Sequence, residues 1–212
     1  MATGLVNPAT GQIARWKMAL DVERCIGCHA CSVACKVENK VPLGRFRTKV
    51  YYYDQGKFPK VTRNFLPTLC MQCEDTPCLK ACTNDAIQRG ADGIVRVIAD
   101  KCDHLGACEA ACPYGAIGCD DNDVADKCDF CSHRLDANME PACVETCPAD
   151  VFHFGDANDP ASPYSSMGRP ELTAVPSLSI SSGGTIRSAN ALCTSSAVMC
   201  CCVTDWASTR AT

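Results

Sequence analysis

Fifteen cysteines stand in four groups along the chain, and their spacing decides what chemistry they can do. The first group is Cys25, Cys28, Cys31 and Cys35, and the second is Cys70, Cys73, Cys78 and Cys82. The third is Cys102, Cys108 and Cys112, and the fourth is Cys128, Cys131, Cys143 and Cys147. Two residues between thiols let the backbone curl and aim several sulfurs inward, leaving nearby N–H groups free to bond. Pro113 and Pro148 follow the last cysteine of their groups, where a missing N–H turns the chain away. Thiolates are soft ligands, so the set suits iron–sulfur clusters, zinc or, without metal, disulfides. Against disulfides, neighbours in Cys25-x2-Cys28-x2-Cys31 cannot all pair locally, and the layout recurs. Against zinc, its sites use pairs of C-x2-C rather than a run of three. The pattern favours clusters.

The elements that must hold these thiols are short. Met18–Val22 and Gly93–Ile98 are β-rich runs leading into cysteine groups. Ser32–Lys36 and Cys108–Ala111 suit one or two helical turns, and Pro113–Ile117 reads as a turn into a strand. Val41–Leu69 is a loop-and-strand insertion, in which Val50-Tyr51-Tyr52-Tyr53 predicts a strand rather than a cofactor stack. Beyond about Gly155 the chain turns rich in Ser, Thr, Ala and Gly without periodicity, which predicts an irregular arm.

The whole chain agrees. Its 212 residues suffice for one or two small domains, and 20 of them are cysteine, enough for cysteine chemistry to decide the fold. Aromatics are only 6%, as expected where inorganic groups fill space. The net charge of −4, with no basic run, argues against nucleic acid as a partner. Met1–Thr10 lacks a basic region followed by an apolar core, which predicts no secretory signal. No run approaches the ~18–20 apolar residues that span a bilayer. Neither a nucleophile–base pair, a Gly-rich phosphate loop nor a carboxylate dyad is visible, so no bond chemistry is expected of this chain alone. The four histidines show no mutual metal-ligand spacing. His133 suits a local hydrogen bond or a partner surface, and Lys36 and Lys127 adjoin ligands, where a lysine either raises a cluster's potential or, by default, is solvated.

Each group resembles half of a bacterial two-cluster ferredoxin, where three close cysteines bind one cluster and a fourth serves its neighbour. That resemblance implies an α+β fold of two ferredoxin-like two-cluster units, one inserted in the other, with irregular loops. Residues 17–40 and 120–163 would form the first unit, 41–119 the inserted one, and 164–212 an irregular C-terminal tail. The crossover rule then gives cluster one Cys25, Cys28, Cys31 and Cys147, and cluster two Cys35, Cys128, Cys131 and Cys143. Cluster three takes Cys70, Cys73, Cys78 and Cys112. Cluster four is left with Cys82, Cys102 and Cys108, because Leu105 stands at the vacant ligand position. Three outcomes fit: a [3Fe-4S] cluster, a cubane completed by Asp103 or His104, or an empty site. The ligand count favours the first, beside three [4Fe-4S] clusters. A lost thiolate also removes negative charge, which raises the potential there.

Longer motifs narrow the resemblance. Cys25-Ile-Gly-Cys28-His-Ala-Cys31, Ala34-Cys35-Lys36-Val37-Glu38-Asn39, Leu69-Cys70-Met-Gln-Cys73-Glu and Ala111-Cys112-Pro-Tyr-Gly-Ala occur in order. Lys127-Cys128-Asp-Phe-Cys131-Ser-His-Arg-Leu, Pro141-Ala-Cys143-Val-Glu-Thr-Cys147-Pro, Phe154-Gly155-Asp156 and Asp159-Pro160 complete the series. Together, over about residues 17–163, they resemble the four-cluster iron–sulfur subunits of molybdopterin oxidoreductases, of the polysulfide, thiosulfate, tetrathionate and dimethyl sulfoxide reductase type. The resemblance implies a non-catalytic relay between a large molybdopterin subunit and a membrane anchor that exchanges electrons with quinone or a cytochrome. Cluster one would face the catalytic subunit and cluster four the membrane side. It also implies membrane association through partners, on either face. A cluster subunit of a hydrogenase or formate dehydrogenase, or a free polyferredoxin, is the alternative. Thr83 follows Cys82 where proline is common, and the tail after about Pro163 does not resemble the family's docking segment. Cys119, Cys193, Cys200, Cys201 and Cys202 fall outside the four groups, with Cys119 read as a small buried thiol.

Overall fold

Apolar residues of the first strand need a lid, and the far end of the chain supplies it. The computed structural model describes residue 7, residues 10–167 and the backbone of 198–200. In it β1 (Trp16–Asp21) pairs antiparallel with β8 (Phe152–Asp156), Trp16 opposite Asp156 and Leu20 opposite Phe152. Met18 and Leu20 are fully buried, and Trp16 stacks on Phe154 at 5.1 Å between ring centroids. Phe130 meets Phe154 edge-on at 5.3 Å. Asp156 clasps this corner from a buried position. Its carboxylate accepts the Arg15 N–H at 2.8 Å, the Asn158 N–H at 2.9 Å and the Asn7 side-chain amide at 2.7 Å.

Helices begin where cysteine loops end. α1 (Ala30–Glu38) starts after His29 at φ +60°, and α3 (Ala107–Ala111) after Gly106 at φ +67°. Both left-handed residues close the curl of a cysteine loop before the helix carries its last thiols away. α2 (Pro77–Ala81) opens on a proline, whose missing N–H costs nothing in a first turn. α4 (Ser132–Asp136) and α5 (Ala142–Glu145) follow in the last cysteine group. α1 packs on α5, and α2 packs on α3.

Three hairpins complete the frame. β2 (Lys49–Lys57) and β3 (Lys60–Thr68) form the longest, with the strand expected at Val50–Tyr53 inside it. β4 (Ile87–Arg89) pairs with β5 (Val95–Val97), and β6 (Ile117–Cys119) with β7 (Ala125–Lys127). β6 and β7 thus pair across residue 120, the expected boundary between the two units. One apolar core gathers Met18, Leu20, Leu69, Ile94, Phe130 and Phe154, and a smaller one gathers Ile87, Val95, Ile117 and Ala125.

The stretch expected to be an irregular tail is not wholly so. α6 (Pro163–Ser166) is capped by the Ser162 hydroxyl, which accepts the Ser165 N–H at 3.3 Å. β9 (Val198–Cys200) lies antiparallel along β1, Ala19 opposite Cys200. The remainder of that expected arm, with Cys193, Cys201 and Cys202, lies outside the described residues.

Candidate iron–sulfur sites

All fifteen grouped cysteines, and Cys119, are free thiols. Among the described residues no three His, Cys, Asp or Glu side chains are placed to hold a single metal ion. The thiols instead ring cavities, as a cage of several irons requires. One cavity of about 250 Å³ is lined by Cys35, Cys128, Cys131 and Cys143. A second, of about 330 Å³, is lined by Cys70, Cys73, Cys78 and Cys112. A third, of about 350 Å³, is lined by Cys82, Cys102 and Cys108. Cys25, Cys28, Cys31 and Cys147 form a fourth neighbourhood, shown by their mutual influence: Cys147 and Cys28 act on the Cys25 thiol, and Cys25 and Cys147 act on Cys31.

Burial sets the electrostatics of these groups. It pushes Cys31 and Cys73 up to about 11 and Cys78 up to about 12, with neighbouring thiols adding to the shift. Cys128 and Cys143 are raised well above the ordinary thiol value, first by burial and then by Cys35. Thiolates crowded in this way need positive charge among them, which several irons would supply. Donors for cluster sulfur are also in place. The Val151 and Ala116 N–H groups point at the sulfurs of Cys147 and Cys112, each at 3.4 Å. Each donor lies four residues beyond a cysteine followed by proline, so the two loops are copies of one device. The buried Ser32 and Thr48 hydroxyls lack a partner of hydrogen-bonding geometry and sit beside Cys31 and Cys35. The donor set fits iron–sulfur clusters.

Residues beyond the cysteine count also serve these sites. Asn39 Nδ2 lies 3.6 Å from Cys35 Sγ and 3.5 Å from Cys131 Sγ, while its Oδ1 accepts from Arg47 Nη1 at 2.9 Å. Arg47 in turn grips Asp126, its Nε donating to both carboxylate oxygens at 2.8 and 3.1 Å. The Cys35-x3-Asn39 spacing, one helical turn, is a signal for Asn39; nothing in the loop around Arg47 marks it. Gln72 is buried and joins two cysteine loops, donating to the Cys128 carbonyl and accepting the Val95 N–H, both at 2.8 Å. Lys127, solvated by default in the sequence, is buried: its ammonium donates to the Val95 carbonyl and, at 2.8 Å, to that of Cys128. His133 Nε2 lies 2.8 Å from Glu38 Oε1, so its partner is not local but stands 95 residues earlier, at the end of α1. Cys119 is half-buried and lines the Cys82 cavity.

The Cys25 loop is tied to the long hairpin. Gly27 has φ +70°, and a Cβ there would lie 2.3 Å from the Phe65 ring. Tyr52 packs edge-on against Phe65 at 5.2 Å, and its hydroxyl donates to the Gly27 carbonyl at 3.1 Å. Gly27→Ala is therefore expected to displace β3 from the loop and destabilise the loaded protein by ~1–3 kcal/mol. Anaerobic thermal unfolding of the two proteins checks it; equal midpoints would refute the close approach.

Fold and thiol cavities together define a ferredoxin-like protein of the 4Fe-4S type. Residues 61–157 match the family described as a 4Fe-4S dicluster domain, and residues 16–37 a 4Fe-4S binding domain. A component of the polysulfide reductase of Wolinella succinogenes is 43% identical over 152 residues, 70% of this chain and 80% of that protein. A tetrathionate reductase subunit of Salmonella typhimurium is 42% identical over 156 residues, 72% of this chain and 62% of that one. A putative dimethyl sulfoxide reductase iron–sulfur subunit of Halobacterium salinarum is 38% identical over 173 residues, 67% of this chain and 66% of its own. The chain belongs to the family of iron–sulfur subunits of the molybdopterin oxidoreductases. It spans about three fifths to two thirds of the length of the tetrathionate and dimethyl sulfoxide relatives. Among the described residues, no helix is long and apolar enough to cross a membrane.

Proposed function

We propose that this chain is the electron-relay subunit of a molybdopterin reductase complex, non-catalytic itself. It would stand between a large catalytic subunit and a membrane partner that exchanges electrons with quinone or a cytochrome. The observation that carries the reading is the gathering of thiols from distant parts of the chain around separate cavities. Iron–sulfur clusters held there supply single-electron storage at each site. Cys25, Cys28, Cys31 and Cys147 would hold one cluster, and Cys35, Cys128, Cys131 and Cys143 the next. Cys70, Cys73, Cys78 and Cys112 would hold a third, and all three are read as [4Fe-4S]. Cys82, Cys102 and Cys108 would hold the fourth, and three thiolates alone are the ligand count of a [3Fe-4S] cluster. The α1–α5 and β1–β8 contacts support one ferredoxin-like unit, and α2–α3 with the β4–β5 hairpin an inserted second, the β6–β7 hairpin joining the two. The relatives named for polysulfide, tetrathionate and dimethyl sulfoxide support a small inorganic or sulfur-type substrate for the complex.

Anaerobic purification from the native host, with iron and molybdenum analysis, tests the reading. The chain is expected to co-purify with a large molybdenum-containing subunit, and dithionite-reduced samples to show coupled cluster signals. An iron-loaded monomer with no associated chain would make it a free polyferredoxin instead.

A further inference from the structure

Side chains two apart on a strand share a face, so Ile117 and Cys119 of β6 point the same way. Ile117 lines the Cys70 cavity, and one step further Cys119 lines the next, together with Cys82, Cys102 and Cys108. Leu105 does not line that cavity and is 70% exposed. Its loop has nonetheless kept the shape of a cysteine loop. His104 and Gly106 have φ +61° and +67°, repeating Gly27 and His29 at +70° and +60°, which flank the middle thiol Cys28. The loop has the curl of the Cys25 loop, with a leucine where that loop carries its middle thiol.

The other donors near this cavity are already engaged or less suited. Asp103 Oδ1 accepts the Leu105 N–H at 3.2 Å, and Oδ2 accepts the Thr83 hydroxyl. Asp123 also lines the cavity, but a thiolate outcompetes a carboxylate for iron beside sulfide. Among the described residues, the Cys119 thiol makes one hydrogen-bond contact, a long one of 3.8 Å to Glu109 Oε2.

We propose that Cys119 supplies the fourth thiolate of the Cys82 site, making it a [4Fe-4S] site despite Leu105. On binding, the thiol proton passes to solvent and a sulfur lone pair bonds the fourth iron; no electron is transferred. The fourth ligand would then stand on the neighbouring strand instead of the loop. The inference rests on reading Cys82, Cys102 and Cys108 as a cluster site.

The test uses the complex purified anaerobically, with iron counting and electron paramagnetic resonance of the oxidised state. An oxidised three-iron cluster is paramagnetic, and an oxidised low-potential four-iron cluster is silent. Wild type is expected to be silent. Cys119→Ala is expected to lose one iron per chain and gain one three-iron spin per chain, while Asp103→Asn stays silent. In the double variant Leu105→Cys with Cys119→Ala, the loop thiol should restore both the silent spectrum and the missing iron. This arm separates ligation from a folding defect at β6. A stoichiometric three-iron signal in iron-loaded wild type, or a silent Cys119→Ala protein, overturns the proposal. So does a three-iron signal in Asp103→Asn. A chain without iron would instead overturn the cluster reading on which it rests.

Discussion

Replacing Cys143 by alanine is expected to strip iron from the Cys35 cavity and destabilise the loaded protein by on the order of 5 kcal/mol. The thiol is buried on α5 and lines that cavity with Cys35, Cys128 and Cys131, which come from two other parts of the chain. A metal site assembled only in the folded state contributes its binding free energy to folding, and this one also joins α5 to α1. Cys28→Ala makes the contrast. Cys28 is exposed on its loop, and its loss is expected to empty or degrade its own site at well under half that destabilisation. Iron per chain and anaerobic urea midpoints of the two variants check the difference. Similar midpoints would mean that the buried site adds nothing to the joining of the helices.

The second large effect is on a reduction potential. Lys127 is 3% exposed and lines the Cys70 cavity, where its ammonium opposes the upward shift of Cys78. A buried positive charge favours the more negative, reduced state of a neighbouring cluster. Lys127→Gln removes the charge while keeping an N–H donor for the Val95 and Cys128 carbonyls. At an effective dielectric of ~20 and a separation of several ångströms, one unit charge is worth ~2–3 kcal/mol, or roughly 90–120 mV for one electron. The potential of that one site is expected to fall by this amount in a redox titration followed by paramagnetic resonance. If no potential moves, the ammonium is not felt at the cavity. Lys127→Met, which also leaves two buried carbonyls unpaired, is expected to add a loss of ~1–3 kcal/mol in stability.

Cysteine spacing made most of the candidate ligands legible because a cage of irons constrains its ligands more tightly than packing constrains a core residue. Cys25, Cys28 and Cys31 announce a loop whatever surrounds it, and the β-rich apolar run at Met18–Val22 announces a strand. Asn39 was within reach, one helical turn from Cys35. Arg47 was not, since its partners Asp126 and Asp129 lie about eighty residues on and no local period joins them. The depth of Lys127 was hidden for the same reason: burial of a lysine depends on which carbonyls the fold brings to it, here those of β5 and the Cys128 loop. Cys119 was visible as a leftover thiol, but only the β6–β7 hairpin puts it beside Cys82 and Cys102. The long hairpin was half seen, because its exposed strands lack the alternation that a covered face imposes.

The pairing of β1 with β8 has a consequence for synthesis. Thiols of the Cys70 and Cys82 cavities lie between residues 70 and 119, so both sets leave the ribosome close together. Cys35, by contrast, waits for Cys128, Cys131 and Cys143, and β1 waits for a strand that begins at Phe152. Domains tend to form in the order they emerge, and contacts this distant in sequence form slowly. The first cysteines made are therefore among the last to gain their full complement of partners, and the nascent chain carries them unpaired while the middle of the protein matures. Iron offered to the chain during synthesis would meet the central sites complete first, and the N-terminal thiols at sites not yet closed.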